Sequence, residues 1–290
     1  KGKGTIMNKE IMIGNRRISE DAPTFVIAEM SANHLMDFDR AVAIMQAAKD
    51  AGADAIKIQT YTPDTITLDC DDPCFQITQG TIWDGTTLHK LYETAYTPWE
   101  WQPKLKKIAE EMGLVFFSSP FDLTSIDFLE EMEVPVYKVA SFEINDIPFI
   151  RKIARTGKPI IMSTGIAYLA DIELALRTCK EEGNENVILC ERGIRTFETD
   201  SRATLDIAAI PVLKKLTHLP VIVDPSHAAG RTELVAPLAL AAVAAGADGL
   251  MVEVHDRPAC ALSDGAQALS CDQFDRLAGQ VRELLPHACR

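Results

Sequence analysis

Two lysines lie within apolar segments that have the pattern of buried β-strands. Lys57 stands between two isoleucines, and Lys138 stands between Tyr137 and Val139. Side chains alternate between the two faces of a strand, so each lysine faces the opposite side from its apolar neighbours, toward an enclosed interior. A lysine in a core is costly unless it is paired, and a core carboxylate explains one such lysine as well as a function does. Two such lysines favour a site that binds a small anion.

Hydroxyl groups and further cations follow three other strand-like segments. Ser118-Ser119-Pro120 and Ser163-Thr164-Gly165 end two of them, and Glu191-Arg192-Gly193-Ile194-Arg195 ends the third. Small hydroxyls beside Gly or Pro suit phosphate oxygens, although each alone is better explained as a helix N-cap. An arginine binds phosphate or carboxylate in a bidentate way. Together these groups suit a multiply charged small substrate such as an enol phosphate.

One histidine and two carboxylates form a candidate metal site. Asp224-Pro225-Ser226-His227 ends one strand-like segment, Glu253 and His255 end the next, and Asp264 lies in the segment that follows. One imidazole and two carboxylates suit Mn²⁺, Fe²⁺, Co²⁺ or Zn²⁺, and Mg²⁺ less well. Such an ion could polarise an aldehyde that an enol attacks. The spacing fits a surface histidine with ordinary acidic neighbours equally well.

These residues follow eight strand-like segments that alternate with helical periodicity. The segments are residues 25–30, 55–60, 114–119, 136–140, 159–164, 186–191, 220–224 and 248–254. Eight such units in about 250 residues predict a single-domain (β/α)8 TIM barrel, with a doubly wound open sheet as the alternative. Ala51-Gly-Ala-Asp-Ala-Ile-Lys57 is echoed by Ala245-Gly-Ala-Asp-Gly-Leu-Met251, which favours a closed repeat. No GxGxxG follows the first strand, so the usual dinucleotide motif is absent.

Composition limits the partners of this chain. The 29 Lys and Arg residues against 42 Asp and Glu residues give a net charge of −13, which offers nucleic acid and membrane surfaces no basic patch. Seven scattered cysteines predict reduced thiols and a cytoplasmic protein. Residues 1–7 are expected to be a cloning remnant, and residues 8–290 the barrel. Residues 61–88 are predicted to form a lid or rim. Three further histidines are predicted to be solvated: His89, His218 and His287.

Residues from about 8 to 186 resemble the front half of a sialic acid synthase, most closely of the type that makes pseudaminic acid. The runs that carry this resemblance are Ile27-Ala-Glu-Met-Ser-Ala-Asn-His34, Ala51-Gly-Ala-Asp-Ala-Ile-Lys-Ile-Gln-Thr-Tyr-Thr-Pro63, Phe117-Ser-Ser-Pro-Phe121, Tyr137-Lys-Val-Ala-Ser-Phe-Glu143 and Ser163-Thr-Gly165.

Residues from about 187 to 285 resemble the back half of a 3-deoxy-D-arabino-heptulosonate 7-phosphate (DAHP) synthase. The matching runs are Val187-Ile-Leu-Cys-Glu-Arg-Gly-Ile-Arg-Thr-Phe197, Leu219-Pro-Val-Ile-Val-Asp-Pro-Ser-His-Ala-Ala-Gly-Arg231, Gly249-Leu-Met-Val-Glu-Val-His255 and Ala261-Leu-Ser-Asp-Gly265. We therefore take a designed or recombined chimera, joined near residues 184–187, as the leading hypothesis. A natural intermediate sequence is the alternative.

Both resemblances imply a TIM barrel that adds phosphoenolpyruvate to an aldose with a divalent metal and releases phosphate. The implied ligands of phosphoenolpyruvate are Lys57, Ser118, Ser119, Lys138, Ser141, Ser163 and Arg192. The implied catalytic residues are Glu29, Lys138 and Glu143. The residues implied to face the aldose are Asn33, Gln59, Tyr61 and Phe121. The implied metal ligands are His227, Glu253 and Asp264, with Mn²⁺ the leading ion.

The sequence also departs from both families. It has Glu191-Arg192-Gly193 where a sialic acid synthase has a Thr-Ser-x-Tyr-Pro-like run, and we expect no antifreeze-like C-terminal domain. It lacks the metal-binding Cys and the Lys-Pro-Arg-Thr run of a DAHP synthase. The acceptor is therefore expected to be an N-acetylated amino sugar, with erythrose 4-phosphate as the alternative. Two other readings are a folded barrel that binds without turnover and a Schiff-base aldolase that uses Lys57 or Lys138. Assembly into a homo-oligomer is expected by analogy.

Overall fold

A closed barrel of eight parallel strands forms the centre of the molecule. The computed structural model describes residues 10–78 and 83–289. Its strands are β1 (Ile11–Ile13), β2 (Arg16–Ile18), β3 (Phe25–Ser31), β4 (Ala55–Thr60), β5 (Val115–Pro120), β6 (Tyr137–Val139), β7 (Ile160–Ser163), β8 (Val187–Glu191), β9 (Val221–Val223) and β10 (Gly249–Glu253). Strands β3 to β10 pair in chain order, and β10 pairs with β3 to close the ring. The predicted barrel is confirmed, with every strand end within one residue of its predicted place.

Helices surround the barrel. They are α1 (Phe38–Asp50), α2 (Pro63–Ile66), α3 (Leu88–Thr94), α4 (Gln102–Glu111), α5 (Leu123–Glu131), α6 (Ile147–Ala154), α7 (Leu169–Glu181), α8 (Ala209–Thr217), α9 (Pro225–Ala229), α10 (Thr232–Ala244) and α11 (Cys271–Leu284). Four of the helices that follow barrel strands begin at an aspartate whose carboxylate accepts a backbone N–H of the first turn, namely Asp37, Asp122, Asp146 and Asp224. Among the described residues, no helix combines the length and apolarity that crossing a membrane requires.

The barrel strands have two buried faces. Outward side chains such as Ile56 and Leu189 pack against the helices, and inward side chains such as Ile27, Phe117 and Ile222 fill the lower barrel. Toward the carboxyl ends of the strands the inward positions become polar. The charged inward side chains therefore lie at one end of the barrel, which is the end where the active sites of this fold lie.

The hairpin of β1 and β2 closes the opposite end of the barrel, and the sequence reading did not predict it. Ile11, Ile13 and Ile18 are almost fully buried and belong to the same core as the inward side chains of the barrel. Gly14 adopts a φ of 57° in the turn between the strands. The alternating isoleucines around Gly14 and Asn15 are the sequence signal of this hairpin.

The repeated Gly-Ala-Asp motif has the same structural role in both places. The Asp54 carboxylate accepts the backbone N–H of Val26 at 2.9 Å, and the Asp248 carboxylate accepts that of Val221 at 2.8 Å. Arg16 and Lys214 neutralise Asp54 and Asp248, respectively. Each aspartate thus fixes the start of the preceding strand.

Two predictions concern segments that the structure describes in part. Residues 1–7, expected to be a cloning remnant, lie outside the described residues. Residues 61–88 contain α2 and a short 3₁₀ turn, Pro73–Phe75, and residues 79–82 of that segment are also outside the described residues. The side chain of Trp83 donates to the carbonyl of Leu262 at 2.9 Å, which ties this segment to the loop after β10.

Candidate active site

Lys57 on β4 is neutralised by a carboxylate of the neighbouring strand. Its ammonium forms an ion pair with Glu29 on β3, and both side chains are buried. The backbone N–H and the hydroxyl of Ser31 also donate to Glu29 Oε1, at 3.0 and 3.1 Å. A core carboxylate therefore explains why Lys57 can be buried, which is the structural explanation that the sequence allowed for one of the two lysines.

Lys138 on β6 has a different environment. It is buried, and its described hydrogen bonds go to the hydroxyl of Ser163 and to the carbonyl of Val139, at 3.0 Å for the carbonyl. Neither acceptor carries a charge. The pKa of Lys138 is lowered to about 8, mainly by burial; Cys190 and Asp224 oppose this shift, and the nearby cations Lys57 and Arg192 add to it. A buried ammonium among neutral acceptors is suited to bind an anion.

A cluster of donors surrounds Lys138. Arg192, after β8, donates to the hydroxyl of Ser141 at 3.3 Å, and Ser141 begins the 3₁₀ turn after β6. Gly165 allows this close approach, because a Cβ there would lie 2.8 Å from Ser141 Oγ and 2.9 Å from Arg192 Cγ. The structure therefore joins four of the predicted phosphoenolpyruvate ligands, which we call the anion cluster: Lys138, Ser141, Ser163 and Arg192.

Glu143 borders the anion cluster and has an unused oxygen. Its Oε2 is buried without a hydrogen-bond partner. Burial raises the pKa of Glu143, and the cations of Lys138 and Arg192 offset this only in part. A carboxyl group of this kind is suited to hold or transfer a proton.

His227, Glu253 and Asp264 form a potential metal site. One ligand atom from each lies within 4.8 Å of the others, and His227 Nε2 is 3.7 Å from Glu253 Oε1. His227 Nδ1 lies 2.7 Å from Asp224 Oδ2, a contact that leaves Nε2 for a metal. Burial would raise the pKa of Asp224, but His227 holds it well below its usual range.

The charge at this site favours a cation. Burial raises the pKa of Glu253 well above its usual value, and the negative charges of Asp264, Glu29 and Asp224 add to the effect. A divalent ion would offset this surplus of negative charge. The nitrogen and oxygen donors therefore fit the predicted metal.

One predicted phosphoenolpyruvate ligand, Ser118, faces away from the anion cluster. Ser118 faces the helices, where its hydroxyl contacts that of Thr60 at 2.6 Å and donates to the carbonyl of Ile58 at 3.2 Å. This placement follows from strand alternation, because Phe117 on the same strand faces inward. Ser119 is buried at the carboxyl end of β5.

The predicted aldose residues are mostly engaged in internal contacts. Asn33 pairs with the backbone of Ser263 in both directions, at 2.8 and 3.0 Å. Tyr61 is buried, donates to the carbonyl of Ala95, and packs edge-on against Phe121. Gln59 is half-buried. These contacts give Asn33 and Tyr61 structural roles, and contact with a sugar stays a prediction for all four residues.

Other residues were misjudged or missed from the sequence. The prediction that His89 is solvated is wrong, because its ring is buried and lies 2.9 Å from Asp64. The sequence reading gave Ser31 and Asp224 no supporting role. Ser31 Oγ lies 3.2 Å from Glu253 Oε1 and so links the Lys57 ion pair to the metal site. The role of Asp224 is to orient the His227 ring. Its sequence signal is an aspartate at a helix N-cap, three residues before a histidine of the first turn.

Comparison with known proteins identifies the family. The model of the NeuB family matches residues 44–287. The chain belongs to the NeuB family. It is 38% identical over 275 residues to the pseudaminic acid synthase of Campylobacter jejuni, covering 94% of this chain and 76% of that protein.

A second group of relatives confirms the other resemblance. The phospho-2-dehydro-3-deoxyheptonate aldolase of Thermotoga maritima is 36% identical over 181 residues, covering 62% of this chain and 53% of that protein. The crystal structure of that DAHP synthase superposes with a TM-score of 0.80 and 26% identity, covering 97% of this NeuB-family chain and 75% of that chain. The resemblance to both groups is thus confirmed. The chimera is an interpretation of that double resemblance.

Proposed function

We propose that this NeuB-family chain condenses phosphoenolpyruvate with an aldose, giving a 2-keto-3-deoxy sugar acid and inorganic phosphate. The observation that carries the proposal is the pair of sites at one barrel mouth. The anion cluster presents Lys138 and Arg192 without a carboxylate partner among their described hydrogen bonds. The metal ligands lie in α9, at the end of β10 and in the loop after β10. The relatives named as synthases support the same reaction.

The anion cluster would hold the phosphate and carboxylate of phosphoenolpyruvate. Lys138 and Arg192 supply the charges, and Ser141 and Ser163 supply hydroxyl donors. Lys57 contributes positive charge nearby, although Glu29 already balances it. His227, Glu253 and Asp264 would hold the divalent metal, which polarises the aldehyde of the acceptor when it is bound.

The reaction needs proton transfer as well as charge. C3 of the enol attacks the aldehyde carbon and forms the new C–C bond, and the aldehyde oxygen takes a proton. Water then adds at C2, and the C–O bond to phosphate breaks. Glu143 is the better placed of the two candidate carboxylates to manage the protons of this water, because its Oε2 is unused whereas Glu29 is bound to Lys57 and Ser31.

An N-acetylated amino sugar is the proposed acceptor. The match to the Campylobacter pseudaminic acid synthase extends over 94% of the chain, against 62% for the Thermotoga aldolase. A Schiff-base aldolase is a second candidate, because a buried lysine with a pKa of about 8 is a competent nucleophile. Borohydride trapping of a substrate on Lys138, with activity that resists EDTA, would identify that reaction.

The test is phosphate release from phosphoenolpyruvate with Mn²⁺, with and without EDTA, across several aldoses. The panel holds N-acetylmannosamine, a di-N-acetylated 6-deoxyhexose, arabinose 5-phosphate and erythrose 4-phosphate. We expect metal-dependent release with an N-acetylated sugar. Release with erythrose 4-phosphate alone would assign DAHP synthase activity. Folded protein that releases no phosphate with any of these sugars would contradict the proposal and identify a binding-only barrel.

A further inference from the structure

Asp264 lies in the loop after β10, unlike Glu253, which lies on the strand itself. Its backbone adopts a φ of 56°, a conformation that costs energy for a residue other than glycine. Two neighbours hold its carboxylate by the same oxygen. Gln267 Nε2 donates to Oδ1 at 2.9 Å, and Arg202 Nη1 lies 3.5 Å from Oδ1. The described contacts of this carboxylate therefore leave Oδ2 for a metal.

Arg202 also contacts the element that carries His227. Its backbone N–H donates to the carbonyl of Ala229, the last residue of α9, at 3.1 Å. Its Cβ lies over Gly230, where an added Cβ would be 2.5 Å away. One residue thus touches both the end of the helix that carries His227 and the carboxylate of Asp264.

We propose that Arg202 is a positioning residue of the metal site, which deepens the proposed function and rests on it. It fixes the distance between the His227 helix and the Asp264 loop, and it holds Oδ1 so that Oδ2 faces the ion. Two effects of opposite sign compete here. The guanidinium repels a cation, but its side chain is 49% exposed, so water and salt screen that repulsion. Groups that orient metal ligands typically change affinity by about 10–100-fold, so positioning is the larger effect.

The test is the dissociation constant for Mn²⁺, measured by calorimetric titration of the full chain. Arg202→Met keeps the aliphatic packing over Gly230 and removes the guanidinium. We expect it to weaken Mn²⁺ binding by roughly 10–100-fold, with the melting temperature of metal-free protein unchanged. Arg202→Lys, which keeps the charge and one donor, should recover part of the loss.

Arg231→Met is the matched control. Arg231 is an exposed arginine of the same region, and its described side-chain contacts go to Glu233 and the carbonyl of Asp200, not to a metal ligand. Arg231→Met removes the same charge as Arg202→Met. Because water and salt screen an exposed charge, the Mn²⁺ affinity should stay within about twofold of the wild-type value.

The outcomes separate this proposal from the proposed function. Wild-type protein that binds Mn²⁺ and releases phosphate, with unchanged or tighter binding in Arg202→Met, overturns the positioning role alone. Equal loss in Arg202→Met and Arg231→Met overturns it as well, because net charge would then explain both. Wild-type protein that binds no Mn²⁺ overturns the metal site and the positioning role together.

Discussion

Lys57 and Lys138 are both buried in one barrel, yet their charges are compensated in different ways. Glu29 balances Lys57 within the fold, whereas the described partners of Lys138 are a hydroxyl and a carbonyl. The two desolvated ammonium groups are therefore not equivalent. The energetic cost of burying Lys138 is best offset when an anion binds.

Lys138→Met should lower the rate of phosphate release from phosphoenolpyruvate by about 100-fold or more. The substitution removes the buried positive charge that is proposed to bind this substrate. The fold should remain intact, since methionine has a similar shape. The matched control is Lys152→Met, which removes a lysine of α6 that pairs with Asp127 at the surface. Phosphate release by both variants, with melting curves, tests this assignment, and near wild-type turnover in Lys138→Met would refute it.

The low pKa of Lys138 predicts opposite pH effects on function and stability. Above pH 8 the ammonium loses its proton and attracts the substrate less, so kcat/KM for phosphoenolpyruvate should fall. Between pH 8 and the usual 10.5 the unfolded chain binds more protons at this lysine than the folded chain, so its contribution to stability rises with pH. The fall in kcat/KM is measured on the wild-type protein, and the rise in stability with pH, followed by urea unfolding, should be absent from Lys138→Met. Parallel profiles of unfolding free energy against pH in the two proteins would argue against a buried, titrating Lys138.

At the scale of elements, the strands β6 and β7 and the loops after β6 and β8 form the anion cluster jointly. The loop after β7 supplies no charge to it. Its contribution is Gly165, whose missing side chain lets Ser141 and Arg192 approach each other. A cluster of this kind depends on backbone shape as much as on the donors themselves.

Gly165→Ala should raise the KM for phosphoenolpyruvate by about tenfold or more, because misplacing binding groups by ~1 Å is costly. The added Cβ would lie less than 3 Å from both Ser141 and Arg192, so these side chains must move. Gly279→Ala is the control, since the nearest atom to its added Cβ is 4.0 Å away, in helix α11. Steady-state kinetics of both variants, with melting curves, test the role of this glycine, and an unchanged KM in Gly165→Ala would contradict it.

At the scale of the whole molecule, stability and chemistry are concentrated at opposite ends of the barrel. The β1–β2 hairpin and the inward apolar side chains fill the lower end, and the charged groups occupy the upper end. The charged residues at the upper end contribute little to stability, because removing a charged group from water costs free energy. The apolar core at the lower end therefore has to supply the stability that offsets this cost.

Ile13→Ala should lower the free energy of unfolding by about 2–5 kcal/mol, because it removes a fully buried side chain and leaves a cavity. Met12 lies on the same strand with 47% of its surface exposed, so Met12→Ala should cost about 0.5 kcal/mol or less. Urea unfolding of the two variants measures the difference. Equal stabilities would show that the hairpin does not seal the barrel.

The barrel could be predicted from the sequence because its signals are local. Alternating apolar segments, helical periodicity and the repeated Gly-Ala-Asp motif each depend on neighbouring residues, and strand ends were located to within one residue. The β1–β2 hairpin is harder to predict, because its alternating isoleucines extend over strands of only three residues and give a weaker signal than the barrel segments do. Its stability comes from contacts with distant strands.

The site could be predicted in part. Residue types and strand ends were enough to select Lys138, Arg192 and the metal triad. The direction of Ser118 depends on strand register, and the partners of Tyr61 and Asn33 depend on loops that meet only in the folded chain. Long-range contacts of this kind leave no local pattern.

The pairing of β7 with β8 divides the anion cluster between two parts of the chain. Ser163 pairs with Cys190 across this boundary, with Lys138 before it and Arg192 after it. Neither fragment obtained by cutting the chain between these strands contains a complete cluster. Complementation of two such fragments would restore substrate binding only when the strands meet in register. Activity would then report correct assembly of the two half-barrels, which makes this boundary a natural place for a split-enzyme sensor.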